Sequence, residues 1–251
     1  MAGTDHSREA DLGGPAVILV EPQLGENIGA AARAMLNVGL TELRLVRPRD
    51  GWPSDAARAA ASGADAVVDG AQVFDDLAAA LGDVRRLYAC TARPRDMAKP
   101  VLTAEAAAAE IRAFSPRGGA CAWVFGPERA GLENDDVALA DAVVTVPLNP
   151  AFASLNLAQA VLLVGHAWLR AGNSEDVSEA LDDPPATKAE LIGLFEHLET
   201  ELDASGFLKN RERRPVTVRK IRNLLQRANL REFEVRILRG VIAALSGPRR
   251  S

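Results

Sequence analysis

Short apolar runs alternate with helical segments from Ala16 to about residue 171, and this alternation constrains the fold more than any other feature of the sequence. The runs are AVILVE (16–21), ELRLV (42–46), RLYAC (86–90), ACAWVFG (120–126) and AVVTVP (142–147), and each ends at a loop. Continuous apolar strands that alternate with helices are typical of a parallel sheet covered by helices on both faces. The sequence therefore predicts an α/β domain over residues 15–171.

A smaller domain is predicted after this one. Residues 172–187, GNSEDVSEALDDPPAT, are acidic, contain a proline pair and have no apolar period, which indicates a linker. Helical spacing then returns over residues 188–204, 216–229 and 231–246, and predicts a small all-helical domain over residues 188–251. Residues 1–14 have neither apolar periodicity nor the layout of a secretory signal, so they are predicted to be a disordered lead-in.

Composition argues against several classes of protein. The longest apolar-looking segment, residues 151–169, is interrupted by Ser154, Asn156, Gln159 and His166, and is too polar for a membrane span of about 20 apolar residues. Cys90 and Cys121 are the two cysteines, both in apolar surroundings, so the sequence suggests neither a disulfide framework nor a metal-ligand cluster. We expect a cytoplasmic protein with no bound metal and no membrane association.

Charge is distributed unevenly along the chain. Residues 205–251 hold 13 lysines and arginines against 3 acidic residues, whereas the rest of the chain holds 16 against 31. A basic segment of this size favours a polyanionic partner, because cations that neutralise phosphates release counterions on binding. The alternative is a solvated helical face. The candidate contacts to nucleic acid in this segment are Arg211, Arg213, Arg214, Arg219, Lys220 and Arg222.

In open parallel sheets, ligands bind beyond the carboxyl ends of the strands, so the loops after the apolar runs carry the candidate site. The first loop, EPQLGENIGAAARAM, contains Asn27, which taken alone favours a helix N-cap. Arg33 follows among small alanines that leave its guanidinium free to reach a phosphate. The second loop, CTARPRD, begins with the small residues Thr91 and Ala92, and the third, VFGPERAGLEND, contains Glu128.

The fourth loop, VPLNPAFASLNLAQAV (146–161), contains small polar residues at the start of a long helix. Ser154 or Asn156 is a candidate cap for this helix, and Asn156 with Gln159 has the spacing of a capping box. The glycine-rich fingerprints of dinucleotide and P-loop sites are both missing from the sequence. A nucleotide-dependent oxidoreductase is therefore disfavoured.

Three of these loops together carry a specific resemblance. NIGAAARAM, VFGPERAGL and VPLNPAFASLNLAQAV, in this order after successive strands, resemble the three motifs of the SpoU branch of SPOUT-type RNA ribose 2′-O-methyltransferases. The resemblance covers residues 15–171. The tail segments LFEHLETELDASGFL and LLQRANLREFEVRILRGVI are similar to the C-terminal domain of bacterial tRNA (cytidine/uridine-32)-2′-O-methyltransferases, which extends the likeness to nearly the whole chain.

The resemblance implies a C-terminal trefoil knot that binds S-adenosylmethionine at a homodimer interface. The cofactor-binding residues that it implies are Thr91, Ala92, Gly126, Pro127, Glu128, Val146, Leu148, Ser154 and Leu155. It also implies that Arg33 is catalytic, with Asn27, Glu128, Ser154 and Asn156 as orienting residues. Glu128 is a candidate partner for Arg33.

The implied reaction is methylation of a ribose 2′-hydroxyl of tRNA, at nucleotide 32 of the anticodon loop. Arg33 is proposed as the base in this family, but a guanidinium stays protonated in proteins, so a phosphate clamp that also stabilises the developing alkoxide is the physically easier role. Two further alternatives remain open at this point. One is a ribosomal-RNA ribose methyltransferase of the same branch, and the other is a non-catalytic RNA-binding protein with the same fold.

Overall fold

The computed structural model describes residues 12–91, 99–115, 118–172 and 184–246. Seven strands in these ranges form one sheet, in the order β3-β2-β1-β6-β4-β7-β5. Every pair of neighbouring strands is parallel. The strands are β1 (Ala16–Val20), β2 (Leu43–Val46), β3 (Gln72–Phe74), β4 (Arg86–Cys90), β5 (Val101–Thr103), β6 (Cys121–Phe125) and β7 (Ala142–Thr145). The predicted parallel α/β architecture is confirmed.

Helices cover the sheet and form the tail. Those of the sheet domain are α1 (Gly25–Asn37), α2 (Asp55–Ala61), α3 (Asp65–Asp69), α4 (Leu77–Ala80), α5 (Ala104–Phe114), α6 (Asn134–Leu139) and α7 (Leu157–Ala171). The tail contains α8 (Lys188–Ala204), α9 (Arg214–Arg227) and α10 (Glu232–Ser246). The helical C-terminal region is therefore also confirmed. No helix within the described ranges is long and apolar enough to cross a membrane.

Both faces of the sheet are buried, which explains the unbroken apolar runs. Alternate residues of β1 point to opposite faces, so that Val17 and Leu19 join the core shared with α1 and α7, whereas Ile18 joins the core on the α4 and α6 side. Each of these three side chains is at most 1% exposed. A strand buried on both faces needs apolar residues at every position, and the sequence pattern follows from this requirement.

Two edge strands, β3 and β5, were not predicted from the sequence. Each has three residues, and their burial is only partial. Each pairs with one neighbour only, β3 with β2 and β5 with β7. An edge strand that is half exposed does not need a long apolar run, so the signal that identified the other five strands is missing here.

A close contact between α1 and α2 sets the position of α1, which carries the first candidate loop. At Gly29, a Cβ atom would lie 2.0 Å from the carbonyl oxygen of Ala57, and at Gly25 it would lie 2.3 Å from Ser54 Oγ. Any larger side chain at these two positions would push the helices apart. Glycine is therefore required here by helix packing.

The tail is docked on the sheet domain through Asp141, at the turn before β7. This carboxylate accepts hydrogen bonds from Lys188 Nζ at 2.9 Å, Gln226 Nε2 at 2.7 Å and the backbone N–H of Leu87 at 2.7 Å. The Lys188 side chain is 1% exposed. Burial lowers the pKa of the Lys188 ammonium group, and the charge of Asp141 partly opposes that shift. The docking interface thus contains a buried ion pair.

Further contacts hold the start of the tail against the same edge of the sheet. The Lys188 N–H donates to the carbonyl of Val84 at 2.6 Å, and Arg85 forms an ion pair with Glu232 at 2.8 Å. Residues 184–187, the end of the predicted linker, belong to this interface, since the carbonyl of Pro185 accepts a hydrogen bond from the Arg85 guanidinium. Within the tail, Pro185 also pairs with Arg231 in an isolated bridge. Residues 173–183 of the predicted linker and most of the predicted lead-in lie outside the described residues.

We predict that Asp141→Ala strongly destabilises the protein, by about 3–5 kcal/mol, because it leaves the buried Lys188 ammonium without its partner. The double variant Asp141→Ala/Lys188→Met should recover most of this loss. Urea unfolding measures both. Asp203→Ala, which removes the exposed partner of Arg214, is the matched control and should have little effect. Equal effects of Asp141→Ala and Asp203→Ala would show that the buried pair does not hold the tail.

Candidate functional site

Three of the candidate loops meet because of the order of the strands. β1, β6, β4 and β7 are consecutive neighbours in the sheet, and all of them end at the same edge. The loops after β1, β6 and β7 therefore come together there, although they are far apart in sequence. This edge is the carboxyl edge of a parallel sheet, where ligands bind in folds of this class.

Side-chain hydrogen bonds connect the three loops. Asn27 Nδ2 donates to Glu128 Oε1 at 2.7 Å, and Asn156 Nδ2 donates to Asn27 Oδ1 at 3.1 Å. The other carboxylate oxygen of Glu128 accepts the backbone N–H of Gln23 at 2.9 Å. Because the carboxylate can only accept, it determines which way both amides face. We refer to Glu128, Asn27 and Asn156 as the polar triad.

The two asparagines of the polar triad differ in their structural roles. Asn156 is the N-cap of α7, where its side chain accepts the N–H of Ala158, and it forms a capping box with Gln159. This confirms the prediction from the spacing. The prediction that Asn27 caps a helix is wrong, because α1 begins at Gly25 with Leu24 as its N-cap. Asn27 lies inside the first turn, so its side chain is available to the other loops.

Arg33 and Ser154 do not join the polar triad. Arg33 is exposed on the outer side of α1, and its guanidinium makes no ion pair or hydrogen bond within the described ranges. Glu128 instead uses both oxygens for Gln23 and Asn27, so the suggested pairing with Arg33 is absent from the described structure. Ser154 is exposed in the loop before α7. Arg33 is therefore available for a contact from outside this chain.

An apolar cavity lies beside the polar triad, with a volume of about 140 Å³. Four of the predicted cofactor-binding residues line it, and these are Thr91, Val146, Leu148 and Leu155. The other lining residues are Cys90, Phe125, Val144, Ala153, Ala160 and Val164. Ligand sites for whole small molecules have volumes of about 300–1,000 Å³. This cavity therefore has room for one flat ring system with apolar walls.

Four further predicted cofactor-binding residues, Gly126, Pro127, Glu128 and Ser154, do not line this cavity. At Gly126, a Cβ atom would be 2.2 Å from the backbone nitrogen of Leu132, so glycine is needed for the chain to pass close to itself. Pro127 accepts the N–H of Gly131 at 2.7 Å, which closes the same turn. That turn presents Glu128 to Asn27. Ala92 lies outside the described residues.

Cys90 is the one thiol that lines the cavity among the described residues. Burial raises the pKa of this thiol, so it stays protonated and is a poor nucleophile near neutral pH. Cys121 is buried in β6, and burial raises the pKa of its thiol to about 12. Neither cysteine is therefore suited to covalent catalysis. No cluster of metal-ligating side chains occurs in the part of the chain that is described.

The predicted RNA-contacting residues fall into two groups. Arg214 pairs with Asp203 at 2.6 Å, Arg219 with Asp135 at 3.7 Å, and Arg222 with Glu199 at 2.7 Å. Arg222 also lies over the ring of Phe195, with its Cζ 5.7 Å from the ring centroid. The second group consists of Arg211, Arg213 and Lys220, which are exposed and form no ion pair with another described residue. The charge of this second group faces solvent.

Sequence reasoning missed several residues of this region. The strand-end residues Phe125 and Val144, together with Ala160 and Val164 of α7, line the cavity but have the sequence pattern of ordinary core residues. Arg227 is exposed on α9 and belongs with the cations that face solvent. Helical spacing offered a signal for it, because Arg213, Lys220 and Arg227 are seven residues apart and so lie on one side of the helix.

Known protein families match both the sheet domain and the helical tail of this chain. Residues 14–166 match the SpoU rRNA Methylase family, and residues 189–251 match the family described as tRNA methyltransferase TrmJ, C-terminal domain. The tRNA (cytidine/uridine-2′-O-)-methyltransferase TrmJ of Salmonella typhimurium is 35% identical over 243 residues, covering 91% of this chain and 95% of that protein. The tRNA (cytidine/uridine/adenosine-2′-O-)-methyltransferase TrmJ of Pseudomonas aeruginosa is 36% identical, with 90% and 91% covered.

The crystal structure of TrmJ from Z. mobilis ZM4 superposes on this chain with a TM-score of 0.84 and 50% sequence identity. The superposed region covers 93% of this chain and 99% of the chain in that crystal structure. The similarity thus includes the sheet domain and the helical tail together.

We predict that Asn156→Ala lowers the free energy of unfolding by about 1 kcal/mol, because it removes the N-cap of α7. Asn156→Asp should stay close to wild type, since aspartate caps helices as well as asparagine does. Urea unfolding compares the two, and Ser154→Ala is the matched control that should change nothing. Equal losses in Asn156→Ala and Asn156→Asp would show that the bond to Asn27, and not the cap, is the stabilising contact.

Proposed function

Because the chain belongs to the SpoU methylase family, we propose that it transfers a methyl group from S-adenosylmethionine to a ribose 2′-hydroxyl of tRNA, at nucleotide 32 of the anticodon loop. The observation that carries this proposal is the polar triad beside an apolar cavity, at the carboxyl edge of the sheet. The names of the Salmonella and Pseudomonas relatives support tRNA as the substrate. A tRNA substrate also suggests that the protein acts in the cytoplasm.

The cavity fits the flat, largely apolar part of the proposed cofactor. Val146, Leu148 and Leu155 offer apolar walls on which an adenine ring would be held, and Thr91 borders the same space. The volume of about 140 Å³ suits the ring and not the whole molecule. The Gly126–Glu128 turn, Ser154 and Ala92 are the proposed contacts for the remainder. When bound, this cofactor supplies a methyl group on a positively charged sulfur.

The chemistry proposed for the protein is orientation and charge stabilisation. In the transfer, the 2′-oxygen of the ribose would form a bond to the methyl carbon as the carbon–sulfur bond breaks, and the hydroxyl proton would pass to water. A hydroxyl is a weak acid, so the site must accept its proton or stabilise the charge that develops on oxygen. The polar triad has one carboxylate whose oxygens are already occupied by two N–H donors. We assign Glu128, Asn27 and Asn156 to holding the loops in position.

Arg33 is the proposed catalytic cation. Its guanidinium is exposed and forms no ion pair or hydrogen bond within the described residues, so it is free to meet the substrate. A permanently protonated guanidinium cannot accept the proton, but it can bind the phosphate next to the reacting ribose and stabilise the alkoxide. We therefore propose a phosphate clamp for Arg33, with Ser154 as a small polar neighbour that leaves room for the ribose.

A homodimer is part of the proposal. Leu162, Leu163 and Leu169 on α7 are each about 40% exposed, and they follow directly after the loop of the candidate site. A second copy that covered this face would bury apolar surface beside the cofactor. The family resemblance also implies that the chain after β6 and β7 is threaded as a trefoil knot, which is a rare arrangement. A monomer by light scattering would contradict the dimer.

The tail is proposed to bind the tRNA through its exposed cations. Arg213, Lys220 and Arg227 lie on one side of α9, about 10 Å apart along the helix axis. Arg211 precedes them on the same basic segment. Arg214, Arg219 and Arg222 are assigned a structural role instead, because acidic side chains of this chain already neutralise them.

We predict that the wild-type protein, incubated with S-adenosylmethionine and unmodified tRNA, produces a 2′-O-methyl group at nucleotide 32, detected by nucleoside mass spectrometry after nuclease mapping. Arg33→Ala should lower kcat about a hundredfold, because it removes a transition-state charge partner. Arg33→Lys should retain more activity, since it keeps the positive charge. Transcripts with cytidine, uridine or adenosine at nucleotide 32 would define the accepted bases.

Three outcomes would change this proposal. Methylation of ribosomal RNA but not of tRNA would show that the protein is a ribosomal-RNA ribose methyltransferase of the same branch. A rise in melting temperature with S-adenosylmethionine but no methylation of either RNA would indicate an RNA-binding protein without this activity. Full activity of Arg33→Ala would remove Arg33 from the mechanism.

We predict that Arg213→Ala and Lys220→Ala each weaken tRNA binding and each reduce the slope of log Kd against log salt by about 1. Arg222→Gln is the matched control, because its guanidinium is already paired with Glu199. It should lower the melting temperature and leave the salt slope unchanged. Filter binding at several salt concentrations measures these slopes. A reduced salt slope in Arg222→Gln, with unchanged slopes in Arg213→Ala and Lys220→Ala, would show that the paired arginines exchange their carboxylate partners for phosphates.

A further inference from the structure

A second cavity, of about 400 Å³, lies on the opposite side of the sheet domain from the candidate active site. It is formed where α9 of the tail meets the first residues of β4 and β7, Arg86 and Ala142. The amino ends of these strands lie about 13 Å from their carboxyl ends along the strand direction. We call this cavity the seam cavity. It is separate from the cofactor cavity, and none of the residues assigned to methyl transfer lines it.

A buried amide oxygen of Gln226, a residue that lines the seam cavity, has no hydrogen-bond partner among the described residues. Gln226 is 5% exposed, and its Oε1 atom has no hydrogen bond from any described residue. Its orientation is determined, because Nε2 donates to the Asp141 carboxylate at 2.7 Å and that carboxylate can only accept. A buried acceptor without a donor is costly. This oxygen is fully buried, so an N–H group of a ligand in the seam cavity would reach it through a small movement of the Gln226 side chain.

The charged groups around the seam cavity narrow the choice of ligand. Arg86 and Arg227 line it together with Glu110 and Asp141, so its formal charge is balanced. A free phosphate would face two carboxylates, and a purely apolar molecule would leave Gln226 Oε1 unpaired. Arg227, in contrast, is exposed and forms no ion pair within the described residues. The cavity thus favours a neutral polar group inside and an anionic group at Arg227.

Flat surfaces complete the seam cavity. Phe114 lines it, and the guanidinium of Arg86 lies over this ring with its Cζ 5.3 Å from the centroid. Nucleobases that are splayed out of single-stranded RNA stack on aromatic rings and on guanidinium planes, and their edges form hydrogen bonds. The volume is within the range of small-molecule sites.

From these groups we infer that the seam cavity binds a second nucleotide of the RNA substrate, with an amino-bearing base (cytosine, adenine or guanine) facing Gln226 and its phosphate at Arg227. This inference rests on the proposed tRNA-methylating function. Arg227 is also the last of the three exposed cations spaced along α9, so the same helix that tracks the phosphates leads to the cavity. The contact adds affinity for the RNA and takes no part in the chemical step.

Ala113→Phe tests this inference, because Ala113 is exposed and lines the seam cavity without forming any of its polar contacts. We expect the KM for tRNA and the Kd for tRNA each to rise about tenfold, with kcat unchanged, since stacking and hydrogen bonding of one base are lost. Ala106→Phe is the matched control. Ala106 is exposed on the same side of α5, two turns earlier, and does not line the cavity.

Ala113→Leu fills less of the cavity than Ala113→Phe and is a second variant, because Arg227→Ala would weaken tRNA binding through the phosphate contact already proposed for α9. Ala113→Leu should also raise the KM for tRNA at unchanged kcat and unchanged melting temperature. If Ala113→Phe and Ala106→Phe bind tRNA equally well, the inference is overturned. If Ala113→Phe lowers the melting temperature, the comparison of Ala113→Leu with Ala106→Leu decides instead. A wild-type protein that binds tRNA but methylates none would refute the proposed function, while the Kd comparison would still test the cavity.

Discussion

The parallel direction of all seven strands is the constraint on which the rest of the structure depends. It gives the sheet two unlike edges, one where every strand ends and one where every strand begins. The loops after β1, β6 and β7 must meet at the first edge, and the polar triad forms there. The second edge has no such loops, and the tail docks against it. Candidate chemistry and domain docking are thus separated by the length of the strands, about 13 Å.

Each edge depends on a carboxylate that only accepts hydrogen bonds. Glu128 receives two donors from the loop after β1 and the start of α1, and it thereby determines the orientation of Asn27 and, through Asn27, of Asn156. Asp141 receives donors from β4, from α8 and from α9. Both carboxylates determine the orientation of the groups around them. An amide in place of either one would point an N–H donor at another N–H donor. The difference is that Asp141 faces a buried ammonium group, so its charge matters as well as its geometry.

The sequence was sufficient for the general fold and for the elements of the site. Five of the seven strands follow from apolar runs, because a strand that is buried on both faces leaves a strong pattern. The capping box of Asn156 follows from spacing, because its partner is three residues away. The edge strands β3 and β5 leave no such pattern. Local reasoning therefore succeeds where the deciding contact is local or where burial is complete.

Long-range contacts set the limit of the sequence prediction. Asn27 was assigned to a cap because its actual partner, Glu128, is 101 residues away. Counting charges identified the basic tail but not which cations are free, since Glu199 and Asp203 on α8 neutralise arginines of α9. The family resemblance supplied the three loops as a group. It did not supply Asp141, Lys188 or Gln226, whose importance appears only when the tail is placed on the sheet.

The separation of the two edges has a consequence for how an RNA substrate is held. Cations at one edge alone would attract any polyanion, because phosphate contacts carry no sequence information. In the proposed function, the RNA contacts the candidate active site at the carboxyl edge and α9 on the opposite side, so it must span both. A folded RNA of defined shape meets that requirement, whereas a short single strand would reach only one. Because the buried pair of Asp141 and Lys188 fixes the tail, the distance between the two contacts is fixed as well. In the proposed function, the docking of the tail therefore selects the substrate by its shape.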